Sequence, residues 1–265
     1  MSLTLAIRSF ELLLGLSLLL QTLEYLRLPA QDRISHWPTQ SQELPATPAW
    51  LRPLLDRLLA PQAYLGLLWL RLALGALLMA GLLRGPGGLA GAVLLFLIAL
   101  VLLFRWRGAF NGGSDFMTLV GLTGLVIAHT TSALGDPVLG WRAALWYVAL
   151  QSLTSYFVSG WVKLLRPEWR SGTALPVFLD TGVYGPLAAH SVYRSPAVAR
   201  TLAWGFTVWE GLFPLALLDL RLALFFCASG ALFHFLVFWY FGLNRFFWAW
   251  LATFPAVLWV AGGVS

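Results

Sequence analysis

Charge is scarce in this chain. Asp, Glu, Lys and Arg together make up 11% of its 265 residues, against 59% hydrophobic residues and a mean hydropathy of +0.78. A water-exposed globule carries about a quarter of its residues as charges, so a soluble enzyme is excluded. Cysteine is nearly absent too. Cys227 stands alone inside an apolar run, which excludes a disulfide scaffold, a multi-cysteine zinc site and a dithiol redox centre. The histidines, His36, His129, His190 and His234, show neither HxxxH nor HxxH spacing, so no metal site is supported. Lysine occurs once, at Lys163. The remaining cations are arginines scattered along the chain, and without a basic tract the net charge of +6 does not indicate a nucleic-acid partner. They read instead as charges flanking membrane helices. Internal repeats and low-complexity tails are missing as well.

What is present is apolar length. A bilayer core takes roughly 20 mostly apolar residues per helix, and eight runs qualify: Leu3 to Tyr25, Tyr64 to Leu83, Gly88 to Phe104, Asp115 to Leu134, Val138 to Leu165, Ala199 to Leu218, Leu222 to Gly242 and Phe246 to Val260. The sequence therefore predicts an all-α fold, a polytopic transmembrane helix bundle of about eight spans, with residues 1–265 as one integral membrane domain in a lipid bilayer, that of the cell or inner membrane. The first run lacks a basic start and holds Arg8, Glu11 and Glu24, so it reads as a retained helix and not as a signal peptide. Two connections stand out. Leu26 to Gln62 is polar and Pro-rich, and within it Trp50 to Leu59 reads as an amphipathic helix on the membrane surface. Arg166 to Arg200 is rich in Gly, Pro and aromatic residues. With eight spans most arginines fall on one side, which the positive-inside tendency makes cytoplasmic.

Ionisable residues at membrane depth are costly unless paired or facing a wet cavity, and are the default functional candidates. Lys163 comes first. Ser152, Ser155, Tyr156 and Ser159 precede it at helical spacings, forming a polar stripe that ends in an amine. An amine held out of water is more readily neutral and able to take a proton; the competing structural reading is a lysine snorkelling to the interface. Glu210 and His234 lie near the middle of consecutive spans, where antiparallel packing would bring them together, either for proton transfer or ligand binding or to hold two helices in register. Pro214, four residues after Glu210, is placed to loosen the backbone. His129 is followed by Thr130, Thr131 and Ser132, which places it near a wet end. Arg8 and Glu11 are spaced to pair. In Asn111 to Asp115 (NGGSD) the glycines predict a tight turn, with Ser114 or Asp115 capping the next helix.

Tyr156 to Gly172 (YFVSGWVKLLRPEWRSG) presents an aromatic, a small residue with glycine, a Lys-Leu and then a short polar step to tryptophan and glycine. In this the chain resembles the horizontally transferred transmembrane domain family, to which the membrane domain of the vitamin K-dependent gamma-carboxylase is related. The NGGSD turn, Glu210 with Phe213 and Pro214, and His234 followed by Gly242 to Phe246 extend the resemblance over most of the chain from about Arg105. It implies a bundle of about eight helices in which Lys163 is the base acting on a reduced quinone. With a reduced isoprenoid quinone as cofactor, His234 and Glu210 join Lys163 as catalytic candidates, in the role of supporting acid or binding groups, and Tyr156, Ser159 and His129 are the cofactor-binding candidates. It also implies a lumenal position for the Lys163 end of its helix, opposite to the arginine distribution. The extramembrane portion with which the carboxylase grips its peptide has no counterpart before Ser265, so carboxylation of a captured protein is not expected. Other members of the family act in peptide-toxin maturation or are joined to a thiol-disulfide module, which implies a peptide or redox partner protein. Two functions follow: a membrane enzyme with Lys163 as base on a quinone-like cofactor, or a non-enzymatic membrane factor for maturation or export of a peptide. A transporter ranks third: no repeat of broken helices points to a substrate site at the midplane, and only Pro214 and Pro255 leave it open.

Overall fold

A computed structural model describes residues 1–28, 48–106 and 112–264. Among the described residues every regular element is helical: α1 (Leu3–Arg27), α2 (Arg52–Leu58), α3 (Pro61–Ala80), α4 (Gly85–Trp106), α5 (Gly112–Ala133), α6 (Pro137–Leu165), α7 (Pro167–Ser171), α8 (Ala174–Leu179), α9 (Pro196–Leu212), α10 (Leu220–Phe241), α11 (Asn244–Leu251) and α12 (Phe254–Val264). Six stretches are long and apolar enough to cross a bilayer: α1, α3, α4, α5, α10, and α11 with α12 taken together as Asn244–Gly263. Their outward faces carry exposed Leu5, Trp69, Leu97, Phe225, Leu232 and Trp239, an arrangement stable only where lipid covers it. The other two expected spans are helical but more polar or shorter. α6 carries the serine and lysine stripe along its second half. α9 has 17 residues and gives way at Phe213–Leu217 to a 3-10 helix, because Pro214 has no N–H to continue the α-helical ladder.

The chain packs as two compact units, Leu3–Ala144 and Met1–Ser2 with Leu145–Ser265, and the boundary falls within α6. In the first unit α1 crosses α3 at glycine. A Cβ on Gly15 would stand 2.9 Å from the Gly75 carbonyl oxygen and 2.7 Å from the Met79 backbone nitrogen, so only hydrogen fits there. Tyr25 stacks on Trp106 at 5.5 Å over a core of Leu68, Ile98 and Leu102. The expected amphipathic helix is α2, whose Leu55 and Leu59 are buried against Tyr64, Val101 and Phe104 while Trp50 stays exposed. The rest of that connection, residues 29–47, lies outside the described residues, as do His36 and Asn111. Of the NGGSD segment, Gly112 and Gly113 are the opening residues of α5 and Ser114 and Asp115 lie within it.

In the second unit α10 packs on α11, α12 and the 3-10 helix, and α9 packs on α7 and α8. The backbones of α6 and α9 approach closely. A Cβ on Gly160 would lie 2.6 Å from the Gly211 nitrogen and 2.8 Å from the Thr207 carbonyl oxygen, so the two backbones touch. Gly160→Ala is expected to lower stability by about 1–3 kcal/mol. Gly205→Ala, where nothing lies within 4 Å, should be neutral or slightly stabilising because alanine favours the helix. Thermal unfolding in detergent compares them, and equal midpoints would refute the backbone contact.

Candidate functional site

The α6–α9 contact decides where the polar residues meet. Lys163 lies three residues after Gly160, and Glu210 one before Gly211, so helices touching at the glycines hold the two side chains face to face. Lys163 Nζ donates to Glu210 Oε2 at 2.5 Å and to Ser159 Oγ at 2.7 Å. The side chains are 18% and 6% exposed, and the Trp169 ring, delivered by α7 directly after α6, lies 5.2 Å from the ammonium. Gly172 closes that turn with φ 86°, and a Cβ there would sit 2.5 Å from the Arg200 backbone, so the turn is anchored on α9. Lys163 is thus not the solitary amine that the sequence implied: it has a buried counter-charge on the neighbouring helix.

Beside the pair runs an open groove of about 630 Å³ lined by Thr154, Ser155, Val158, Ser159, Val162, Lys163 and Trp169. Six of these lie on one face of α6, so the groove follows the helix over about 13 Å, with Val158 and Val162 set among the Thr154, Ser155 and Ser159 hydroxyls and an amine at one end. Ser155 turns its hydroxyl back to the Gln151 carbonyl at 2.8 Å.

Glu210 and His234 do not bond each other. His234, 2% exposed, shares a hydrogen bond through Nε2 with the Tyr156 hydroxyl on α6. Gly230, one turn before His234, makes room: a Cβ there would be 3.2 Å from that hydroxyl. Tyr156 stacks on Phe213 at 3.7 Å, and His234 stacks on Trp250 at 4.8 Å with Phe246 at its edge. Tyr156 therefore belongs to a buried aromatic cage and does not line the groove. His234 Nδ1 and Trp250 Nε1 have no partner in this cage. Ser152 bonds Thr253 at 3.0 Å, in the break between α11 and α12. The stripe on α6 thus divides, with Ser152 and Tyr156 inward and Ser155, Ser159 and Lys163 on the groove.

His129 belongs to the first unit. It is 6% exposed, packs on Gly88 and the edge of Trp141, and its Nε2 has no partner, so it is more enclosed than its hydroxyl-rich neighbours indicated. Arg71, in mid-α3, went unremarked in the sequence although it interrupts an apolar run. It is 2% exposed and donates to Thr22 Oγ1 at 2.7 Å and Gln21 Oε1 at 2.8 Å. Gln21 in turn donates to Thr118 at 2.9 Å. Arg71, Gln21 and Thr118, with Asp115 and Tyr25, border a cavity of about 10 Å³, the space of one water. Among the described residues no group of three His, Cys, Asp or Glu is placed to hold a metal.

Apolar helices with outward hydrophobic faces and interior polar pairs define a helical integral membrane protein. Comparison with family models, curated proteins and solved structures yields no match.

Removing one partner of a buried pair strands the other charge at about 3–5 kcal/mol, whereas removing both costs far less. Lys163→Ala is therefore expected to destabilise the protein strongly and Lys163→Ala with Glu210→Ala to recover most of the loss, read as a double-mutant cycle in chemical denaturation. Additive effects would mean that the two groups are not coupled.

Proposed function

We propose that the protein is a membrane-embedded enzyme of about eight spans in which the Lys163–Glu210 pair moves protons to and from a lipophilic, quinone-like molecule held along α6, related in scaffold to the carboxylase membrane domain. One observation carries this reading: the chain's only lysine shares a charge-assisted hydrogen bond with a buried carboxylate at the end of a groove lined by valines, a tryptophan and hydroxyl groups. The groove has the volume usual for small-molecule sites, and its mix of valine, tryptophan and hydroxyl groups fits a quinol ring. Ser159 and Lys163 would hold the ring oxygen, and Val158, Val162 and Trp169 its faces. When bound, a reduced quinone would supply an acidic hydroxyl and reducing electrons.

For Lys163 to act as base, its ammonium must first lose a proton. Glu210 is the acceptor within reach, and transfer along their hydrogen bond leaves two neutral groups, the arrangement an apolar setting favours. The neutral amine would then be able to accept a proton from a quinol hydroxyl, which Ser159 would hold. Tyr156 and His234 act as support, fixing α6 against α10 behind the groove.

The protein purified in mild detergent is expected to yield an isoprenoid quinone on solvent extraction and mass spectrometry, and Val158→Trp, which fills the groove, to reduce the amount at least tenfold. Lys163→Arg keeps a cation beside Glu210 but cannot give up its proton; it should fold as the wild type and fail to complement a deletion. Wild-type protein free of quinone, or full complementation by Lys163→Arg, would refute the proposal.

A second reading, a non-enzymatic factor for maturation or export of a peptide, is favoured by the exposed Val177, Val183, Tyr184 and Val192 on the connection after Lys163. It expects Tyr184→Asp and Val183→Asp to abolish function and co-purification with a peptide while Lys163→Arg is tolerated, the reverse of the enzyme's pattern.

A further inference from the structure

The first unit holds a second charged cluster that the proposed chemistry does not use. Glu11 on α1 is fully buried and accepts from two arginines. Arg8 Nη1 donates at 2.5 Å; Arg84, in the turn between α3 and α4, binds both carboxylate oxygens, with Nη2 at 2.9 Å. The arginine side chains remain 37% and 49% exposed. Backbone groups hold them in position. Arg8 Nη2 donates to the Met79 carbonyl at 3.3 Å, and Arg84 Nη1 to the Leu83 carbonyl at 3.0 Å. Gly81, at φ 74°, gives the Arg8 guanidinium its place, since a Cβ there would lie 2.1 Å from Nη1.

Two cations on one carboxylate leave a net positive charge. One turn beyond Arg84, Gly88 donates its N–H to the Arg84 carbonyl at 3.0 Å and packs on His129, the buried imidazole with an unpartnered Nε2. His129 thereby packs behind the turn that carries Arg84. The cluster gathers the beginnings of α1 and α4 and the ends of α3 and α5, so in a bilayer it stands at one surface, at headgroup depth. Basic pockets between transmembrane helices at that depth suit phosphate headgroups, and the planar guanidinium fork matches phosphate oxygens.

We infer that Arg8 and Arg84, backed by the enclosed His129, form a binding site for a phosphate-bearing group, with Glu11 as the fixed counter-charge that orients both guanidinium groups. The phosphate comes from an anionic lipid headgroup or from free phosphate. A purely structural ion triad and a binding site differ in sign at Glu11. Glu11→Gln removes the neutralising charge, which strengthens anion binding at a site and only weakens packing in a triad.

The test uses the full chain in detergent micelles with phosphatidylglycerol, phosphatidylcholine or inorganic phosphate, read by native mass spectrometry and thermal midpoint. Phosphatidylglycerol is expected to be retained over phosphatidylcholine, about fivefold less in Arg84→Gln and about fivefold more in Glu11→Gln. Inorganic phosphate that raises the midpoint and displaces phosphatidylglycerol identifies free phosphate as a ligand; retention of the lipid without such competition identifies the headgroup. Equal retention of both lipids with no effect of inorganic phosphate would overturn the inference, as would phosphatidylglycerol retention unchanged in both variants. Should either variant fail to fold, the wild-type comparison of the three ligands decides alone.

Discussion

The cost of keeping a charge away from water governs the second unit. An ammonium at the end of a membrane helix needs either solvent or an opposite charge, and Lys163 has Glu210 at 2.5 Å. That distance requires α6 and α9 to approach until their backbones meet, which only the hydrogen of Gly160 opposite Gly211 permits. Trp169 covers the ammonium because α7 follows α6 without a spacer and is pinned by Gly172 on α9. Glycine, ion pair and tryptophan therefore depend on one another: widening the helix contact by one methyl group would loosen all three.

The same accounting recurs wherever polarity enters the apolar interior. Arg71 is surrounded by Thr22 and Gln21, Glu11 by two arginines, and Ser152 by Thr253 in a helix break. His234 is the instructive contrast. One ring nitrogen is satisfied by Tyr156 while the other, like the indole nitrogen of the Trp250 stacked on it, has no partner among the described residues. Stacking on aromatic rings contributes dispersion and quadrupole attraction, but gives these N–H and N groups nothing to bond. A cage of this kind holds α6, α10, α11 and the 3-10 helix in one arrangement, and so fixes the face that α6 turns to the groove.

Much of this was legible from residue order. Helices are local, so the apolar runs placed nearly every long helix, and Trp50 to Leu59 marked α2 by its alternation of arginine and leucine. Pro214 marked the change of helix type. Arg8 and Glu11, three residues apart, paired as spacing alone dictates. Lys163, Glu210 and His234 were conspicuous because ionisable groups are rare in such runs. Their partners were another matter. Sequence adjacency of the two spans favoured Glu210 with His234, yet each bonds a residue of α6, since partner choice depends on which faces two helices turn to each other.

The amino-acid sequence by itself determined that the chain is helical and belongs in lipid, because hydropathy and hydrogen-bond economy act residue by residue along a single helix. Only tertiary structure decided that the lone lysine is one half of an ion pair, that Tyr156 faces inward and Ser159 outward, and that Arg84 joins Glu11 from more than 70 positions away. Those outcomes follow from helix rotation and from close contacts at glycine, which depend on shape across the bundle and leave no periodic trace in the chain.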